Sequence, residues 1–250
     1  MRIAIDAMGG DHAPGEIIAG ALEARKVLTD GDEVILVGDQ PVIEERLREL
    51  KAHKLEIPIV HAPKCIGMDE APVEALRKKR RSSIAVMAKM AAKEEADAII
   101  SAGNTGACVA AGQLRMRNLP GVNRPGIAVT LPTFGGPVAI CDVGANVACK
   151  PINLYQYALM TSLYTSEMNG IENPRGGLMS IGEEAAKGNE LVKKTRSLLA
   201  EDSRINFVGN IEGRDVLTGV CDVAICEGFV GNVVLKLTEG IVEGLFKTIK

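Results

Sequence analysis

The sequence contains no tryptophan, and its other large aromatic side chains are three Tyr and four Phe. A hydrophobic core in this chain must therefore be built from aliphatic side chains and methionine. So few aromatic residues also argue against a surface that stacks nucleic-acid bases. The formal net charge of −3 adds no general attraction for nucleic acid. Nucleic acid is therefore not expected among the partners.

Several common signatures are missing as well. The chain has no GxGxxG dinucleotide fingerprint and no GxxxxGK[ST] phosphate loop. It also has no GxSxG nucleophile elbow, which argues against an α/β-hydrolase. If this chain binds phosphate, it must therefore do so with a different arrangement.

The six cysteines include no CxxC pair, so neither a zinc ribbon nor a secreted disulfide scaffold is indicated. Most of them stand in apolar surroundings, which is typical of reduced core thiols in a cytosolic protein. A catalytic cysteine is the less favoured interpretation. The polar residues that follow Met8 argue against a signal peptide, and no apolar run approaches the length of a membrane span. The expected location is the cytoplasm, with peripheral membrane contact left open.

The hydrophobic pattern alternates between strand-like and helix-like segments from the start of the chain. A βαβαβ pattern of this kind predicts a parallel sheet covered by helices. A Pro/Gly-rich link at residues 118–125 precedes two short strands joined by Gly135-Gly136, which predict a β-hairpin. We found no internal repeat and no domain linker, so the sequence predicts one α/β domain over residues 1–250, the alternative being a domain with a small second lobe. The segments on which this rests are strands at 2–7, 33–37, 57–61, 96–100, 127–131 and 138–141, and helices at 14–28, 41–52 and 151–168.

The segment from Ala98 to Ala107 combines a buried strand, a small Gly-bearing turn and the start of a helix. Such a turn presents backbone N–H groups at a helix N-terminus, where the helix dipole favours an anion. The short polar side chains of the turn can bind an oxyanion or cap the helix. The sequence therefore predicts a phosphate site here, the alternative being an ordinary tight βα turn. The predicted phosphate-binding residues are Ser101, Gly103, Asn104, Thr105 and Gly106.

A second polar stretch follows the first strand and contains Asp6, Gly10, Asp11 and His12. Ligands of open parallel sheets bind at the carboxyl ends of the strands, so these residues are predicted to line a site. General acid or base chemistry is one interpretation, and a turn held by its own hydrogen bonds is the other. Metal binding is not expected, because no second His or Cys stands at ligand spacing.

Three further strand ends repeat the pattern. Asp142 and Asn146 follow one of them, and Lys187 lies just before a helix, where it can serve as a cation for phosphate or an oxyanion. A solvated side chain is the common alternative for a single lysine. Asn232 can donate an amide hydrogen bond at the start of the last helix, and Gly231 lets the backbone approach a ligand closely.

Five consecutive cations occupy residues 77–81. A run of this kind is most often a solvated face. If it binds a partner, an acidic protein or an anionic lipid surface fits better than nucleic acid. The run consists of Arg77, Lys78, Lys79, Arg80 and Arg81.

Taken in order, these motifs resemble those of the bacterial phosphate acyltransferases of phospholipid synthesis, which act on acyl-[acyl carrier protein] and phosphate. The resemblance extends over the whole chain and implies a three-layer α/β/α sandwich with a mainly parallel sheet, similar to isopropylmalate dehydrogenases and phosphotransacetylases. It also implies a homodimer, and members that continue beyond the position of Lys250. The matching stretches are 6–14, 101–107, 142–146, 182–189, 206–214 and 228–232, with the basic run and Ser82-Ser83.

The family's reaction transfers a fatty acyl group from acyl carrier protein to inorganic phosphate and gives acyl phosphate for phosphatidic acid synthesis. Our hypothesis is that phosphate itself attacks the thioester, which requires no cofactor and no covalent enzyme intermediate. The 101–106 turn would hold the phosphate, with Lys187 as the cation and Asn232 as the amide donor. His12 is a candidate acid for the leaving thiolate. Asp6, Gly10, Asp11, Asp142, Asn146 and Gly231 would complete the wall of the site.

The resemblance also leaves partners and alternatives to be tested. The basic run is the candidate contact for the carrier protein, and peripheral contact with a membrane glycerol-phosphate acyltransferase is a further expectation. An alternative function is a phosphotransacetylase-like enzyme that uses acyl-CoA. A non-catalytic phosphate- or lipid-binding partner of membrane acyltransferases is the second alternative.

Overall fold

The computed structural model describes residues 1–249. Within this range the chain forms two compact units, one comprising Met1–Leu119 and the other beginning at Pro120. The boundary falls inside the Pro/Gly-rich link at residues 118–125. The sequence predicted a single α/β domain, and whether the two units work as one stays a prediction.

The first unit contains a four-stranded sheet in the order β3-β2-β1-β4, with all neighbouring strands parallel. Five helices accompany it, as the alternating hydrophobic pattern predicted. The strands are β1 (Arg2–Asp6), β2 (Glu33–Gly38), β3 (Ile59–His61) and β4 (Ala98–Ile100). The helices are α1 (Gly15–Ala24), α2 (Gln40–Glu49), α3 (Pro72–Lys78), α4 (Ser83–Ala92) and α5 (Thr105–Arg115).

Strand β2 shows why this sheet is covered on both faces. Its side chains alternate between two separate clusters, and nearly all of them are buried, as in strands that lie between two helical layers. Leu36 packs with Ile18 of α1 and Ile43 of α2. Its neighbour Val37 packs in another cluster with Met87 of α4.

The second unit contains a five-stranded sheet in the order β5-β6-β9-β7-β8. The β5–β6 pair is antiparallel, which confirms the predicted hairpin, and the other pairs are parallel. The strands are β5 (Ala128–Thr133), β6 (Gly136–Cys141), β7 (Arg175–Met179), β8 (Asn206–Ile211) and β9 (Val223–Ile225). The helices are α6 (Pro151–Asn169), α7 (Glu190–Glu201) and α8 (Gly228–Ile249), with a short 3-10 helix at Asp215–Leu217.

The core of the second unit is aliphatic with one buried aromatic anchor, as the composition required. Tyr157 of α6 is fully buried and packs with Leu178 of β7 and Leu199 of α7. On the other side of the sheet, Ile140 and Ile211 form a separate cluster. Each unit thus has a parallel-dominated sheet packed against helices, and the predicted fold class is confirmed.

Several element boundaries differ from the prediction by a few residues. Helix α1 ends at Ala24 instead of near Leu28, and Pro14 is its N-cap instead of its first helical residue. Helix α5 begins at Thr105, within the 98–107 segment in which the sequence predicted a helix start. Within residues 1–249, no helix is both long and apolar enough to cross a membrane.

The parallel arrangement decides which loops lie together. In the first unit β1 pairs with β4, so the loops that follow Asp6 and Ile100 leave the same edge of the sheet. In the second unit the loops after β6, β9, β7 and β8 leave one edge in the same way. The predicted motifs therefore lie at the carboxyl edge of each sheet, where α/β proteins bind ligands.

Candidate active site

A chain of hydrogen bonds joins the two predicted motifs of the first unit. The buried Asp6 carboxylate accepts from the Ser101 hydroxyl at 2.8 Å and from the Met8 N–H at 3.1 Å. The Ser101 oxygen in turn accepts from the Gly103 N–H at 3.1 Å. The side chains of Asp6 and Ser101 are thus hydrogen-bonded within the protein, and these bonds hold the two loops together.

The same two loops meet backbone to backbone. Gly10 has φ +109°, and a Cβ on it would lie 3.2 Å from the Ala102 side chain. A Cβ on Gly103 would lie 3.2 Å from the Gly9 Cα. Only glycine combines this left-handed backbone with so close an approach. The glycines that the sequence assigned to phosphate binding therefore serve first to close the turn.

Asn104 is the N-cap of α5 and has two tasks. Its Oδ1 accepts from the Ala107 N–H at 2.9 Å, so the capping role that the sequence allowed for this turn is confirmed. Its Nδ2 donates to the carbonyls of Gly67 and Glu70, both at 3.0 Å. Asn104 thereby ties the 67–70 loop to the helix start, and its role in phosphate binding stays a prediction.

Replacing Asn104 by alanine is expected to lower the free energy of unfolding by about 2–3 kcal/mol, because a helix cap and buried hydrogen bonds are lost together. Asn189 offers a matched control, since it caps α7 through the same type of hydrogen bond, accepting from the Val192 N–H at 2.9 Å, and is exposed. Asn189→Ala should cost about 1 kcal/mol. Urea denaturation of both variants measures the difference, and equal losses would show that the bonds to the 67–70 loop contribute nothing.

The α5 N-terminus retains open hydrogen-bond donors. Within residues 1–249, the N–H groups of Thr105 and Gly106 have no hydrogen-bond acceptor, and Thr105 is exposed. The first N–H groups of any helix have no acceptor within the helix and carry its positive dipole end. Asp11 and His12 are exposed nearby in sequence after β1, without a side-chain partner in the described part of the chain. The open N–H groups of Thr105 and Gly106 can donate to an anion such as phosphate, whereas the carboxylate of Asp11 would repel one.

Asp142 of the second unit is a buried anion that is fully occupied by its own chain. Its carboxylate accepts from the N–H groups of Ile127, Gly144 and Ala145 at 3.0–3.2 Å. The Asn146 N–H donates to its other oxygen at 2.7 Å. These bonds shape the 142–146 loop, and the predicted contact of Asp142 with substrate stays untested.

Asn146 is similarly engaged. Its Nδ2 donates to the Pro125 carbonyl at 2.7 Å and to the Tyr157 hydroxyl at 2.9 Å. Its carbonyl accepts from the Gly228 N–H at 2.8 Å, where α8 begins. A Cβ on Gly231 would overlap the Asp142 carbonyl oxygen, so the predicted close backbone approach at Gly231 is made to the protein itself.

Asn232 is placed differently from these two residues. It is exposed on the first turns of α8, and a Cβ on Gly144 would lie 3.6 Å from its Oδ1. In the described part of the chain its side chain has no hydrogen-bond partner. The α8 N-terminus itself is capped by Glu227, whose carboxylate accepts from Phe229 and Val230 at 2.7 and 3.0 Å. A second anion would be repelled there, so the Asn232 amide is the group at this helix start that remains available to a ligand.

Lys187 lies in the loop between β7 and α7 and is exposed. Its ammonium group pairs with no carboxylate among the residues described. The loop is fixed by Asn210 of β8, whose Nδ2 donates to the Glu184 carbonyl at 3.0 Å. Asn210 is buried and its Oδ1 has no partner within residues 1–249. We had not predicted this supporting role, although Asn210 stands inside the 206–214 stretch that carries the family resemblance.

Burial makes most of the cysteines poor nucleophiles. It raises the pKa of Cys141 to about 12 and that of Cys221 to about 11. It also raises the pKa of Cys108, Cys149 and Cys226. Since the thiolate is the reactive form, these thiols stay protonated at neutral pH. The interpretation of a catalytic cysteine is correspondingly disfavoured.

Thiol labelling checks this conclusion. With Ellman's reagent at pH 7.5 the native protein should show one fast-reacting thiol, Cys65, which is the exposed cysteine, and all six thiols only after denaturation. Cys65→Ser should abolish the fast phase. A fast phase that survives in this variant would reveal a second activated thiol and contradict the assignment.

The basic run does not form a single charged face. Lys78 pairs with Glu74 at 3.6 Å, and Lys79 pairs with Glu70 and donates to the Cys65 carbonyl. The remaining cations of the run are exposed and have no ion pair within residues 1–249: Arg77, Arg80 and Arg81. No group of three or more metal-ligating side chains occurs in the same described range.

Comparison with known proteins identifies the family. A sequence model of the family described as fatty acid synthesis protein matches residues 1–250. A phosphate acyltransferase from Nostoc punctiforme is 49% identical over 252 aligned positions, which cover 100% of this chain and 73% of that protein. Another phosphate acyltransferase, from Halothermothrix orenii, is 49% identical, and the alignment covers 100% of this chain and 75% of that protein.

Solved structures resemble the chain in fold. The EutD phosphotransacetylase from Staphylococcus aureus aligns with a TM-score of 0.69 and 16% identity, over 97% of this chain and 82% of that one. A phosphotransacetylase from Streptococcus pyogenes aligns with a TM-score of 0.65 and 15% identity, with the same coverage. The resemblance that the motifs indicated is thereby confirmed, and the chain is shorter than the relatives it matches. It belongs to the phosphate acyltransferase family and is an acyltransferase.

Proposed function

We propose that this acyltransferase transfers a fatty acyl group from acyl carrier protein to inorganic phosphate and so forms acyl phosphate for phospholipid synthesis. The phosphate oxygen attacks the thioester carbonyl carbon and forms the new C–O bond. The C–S bond then breaks, and the pantetheine sulfur leaves as a thiolate that takes a proton from solvent or from His12. Relatives that are named phosphate acyltransferase and that match the whole chain support this reaction.

The observation that carries the proposal is the open N-terminus of α5. Within the described residues, the N–H groups of Thr105 and Gly106 have no hydrogen-bond partner. They can therefore donate hydrogen bonds to a phosphate dianion at the start of the helix. Asn104 and the Asp6–Ser101 bond hold this turn in place before any ligand binds. Preorganised donors of this kind lower the cost of binding and orienting a small nucleophile.

From the sequence motifs we also propose two residues of the second unit as participants in this reaction. Lys187 provides a positive charge for phosphate or for the oxyanion that develops on the thioester carbonyl. Asn232 provides a neutral amide donor for the same oxyanion. Both side chains are exposed and without a partner in the described range, in contrast to Asp142 and Asn146, whose polar atoms are bound within the protein. We therefore assign Asp142 and Asn146 to shaping the loop beside Asn232.

Partners and location follow from the same proposal. The carrier protein and phosphate are the substrates, and the enzyme acts in the cytoplasm as a homodimer. Peripheral contact with a membrane acyltransferase would pass the unstable acyl phosphate on directly. Two alternatives remain distinct: an enzyme that uses acyl-CoA, which the phosphotransacetylase-like fold favours, and a phosphate- or lipid-binding protein without turnover.

The proposal is tested by measuring free thiol released from palmitoyl carrier protein as phosphate concentration is varied. Saturable dependence on phosphate, with acyl phosphate trapped by hydroxylamine, is the expected result. Palmitoyl-CoA under the same conditions is the comparison. A higher kcat/KM for the CoA thioester would favour the first alternative, and saturable phosphate binding without release would favour the second.

A further inference from the structure

Two adjoining surface cavities lie over the C-terminal parts of α3 and α5 and along α4, all within the first unit. Their volumes are about 370 and 430 Å³, and they share Arg80, Ala85 and Arg115. Arg115 stands ten residues beyond Thr105 on the same helix, which is about 15 Å along its axis. The cavities are therefore separate from the phosphate-binding turn but lie on the helix that carries it.

Cations surround these cavities without neutralising partners. Five of the lining side chains are exposed and form no ion pair within residues 1–249: Arg77, Arg80, Arg81, Lys89 and Arg115. Among the described residues, the lining of the two cavities includes one carboxylate, Glu95, which pairs with Lys93 at 3.4 Å. Because the chain as a whole is acidic, this concentration of unpaired positive charge marks a distinct area, which we call the arginine surface.

The centre of the arginine surface is apolar. Leu76, Ala85 and Ala111 form a buried floor, and Leu114 stands beside them with 63% of its surface exposed. A combination of an apolar centre and a charged rim is typical of protein–protein interfaces. A free phosphate would gain no stabilisation from the apolar floor. Among the described residues, the lining includes no aromatic side chain on which a nucleic-acid base could stack.

We propose that the arginine surface docks the acidic protein body of the acyl donor, with carboxylates of the carrier on Arg80 and Arg115 and an apolar side chain of the carrier against Leu114. This inference rests on the proposed function for the identity of the donor. It assigns docking to Arg80 in the turn between α3 and α4 together with Leu114 and Arg115 of α5, whereas the sequence assigned it to the basic run alone. The distance along α5 gives the carrier's prosthetic arm room to bring the thioester to the phosphate.

Binding of fluorescently labelled holo acyl carrier protein tests the proposal without requiring turnover. The double variant Arg80→Glu/Arg115→Glu is expected to raise Kd at least tenfold, since each reversal replaces an attraction by a repulsion. The variant Arg25→Glu/Lys54→Glu reverses the same amount of charge at exposed residues elsewhere in the first unit and should change Kd less than twofold. Leu114→Ser should raise Kd several-fold without altering its salt dependence.

Kinetics separate this inference from the proposed function. In the double variant the KM for palmitoyl carrier protein should rise at least tenfold, while the KM for phosphate and kcat at saturating carrier stay within twofold. A turnover assay in which the variant keeps the wild-type carrier KM would overturn the docking site and leave the function intact. An equal increase in the Kd for carrier in both charge-reversal variants would also overturn it. So would an Arg80→Glu/Arg115→Glu variant that no longer binds phosphatidylglycerol vesicles but binds the carrier as the wild type does. Carrier binding that depends on Arg80 and Arg115 in a chain without phosphate-dependent release would support docking and refute the function.

Discussion

Replacing Lys187 by alanine is expected to lower kcat for phosphate-dependent acyl transfer by about 100- to 1000-fold, the cost of losing one preorganised group that stabilises a transition-state charge. The melting temperature should not change, because the side chain is exposed and makes no ion pair within residues 1–249. Lys187→Arg keeps the charge and should retain more activity than the alanine variant. Stopped assays of carrier release at saturating substrates measure the effect.

Lys193 provides the matched control for this experiment. It is an exposed lysine without an ion pair in the described range and lies six residues further on, in α7. Lys193→Ala should leave kcat and both KM values unchanged. A Lys187→Ala enzyme that works within threefold of the wild type would remove Lys187 from the reaction. The loop would then be ordered by Asn210 for another purpose.

Replacing Asn232 by alanine is expected to lower kcat by about 100-fold, since the amide is the proposed neutral donor to the oxyanion. The same substitution should leave stability equal or slightly higher, because alanine is the better helix former and no hydrogen bond within residues 1–249 is lost. The opposite signs of these two effects distinguish a role in the reaction from a role in folding. Enzyme assays and thermal denaturation on the same preparation provide both values.

Glu239→Ala, an exposed substitution on the same helix, serves as the control for Asn232. It should leave kcat unchanged and should change the thermal stability only by the small contribution of its surface ion pair with Lys236. If Asn232→Ala lost activity and stability together, the residue would instead be structural. The proposed oxyanion donor would then have to be sought among backbone N–H groups.

Local sequence was sufficient to predict the strand-to-helix turns and a helix cap among the short polar side chains of the 101–105 turn, which the structure shows to be Asn104. Strand alternation and a capping residue act over a few positions, so their pattern is visible in a short window. The Lys78–Glu74 pair follows the same logic, because four residues bring side chains together on a helix. The pairing of Lys79 with Glu70, which neutralises one charge of the basic run, could not be predicted in this way, because Glu70 lies across a loop.

Long-range contacts decided which polar side chains were left free. Asp142 and Asn146 were predicted to line the site, which stays a prediction, and the structure shows in addition that their polar atoms form hydrogen bonds with Ile127, Pro125 and Tyr157. Those contacts depend on the packing of β5 and α6 against the loop after β6, which no local pattern encodes. For the same reason the Pro/Gly-rich link at residues 118–125 was visible, but its role as the boundary between two compact units was not.

The central claim is that phosphate attacks the thioester directly, and one single-turnover experiment tests it. Enzyme in excess over palmitoyl carrier protein is mixed with or without phosphate, and the free carrier thiol is measured over time. The account predicts no release in the absence of phosphate and one equivalent in its presence, with an equal amount of acyl phosphate. A stoichiometric burst of thiol without phosphate, accompanied by an increase in enzyme mass equal to a palmitoyl group, would show an acyl-enzyme intermediate and contradict the account.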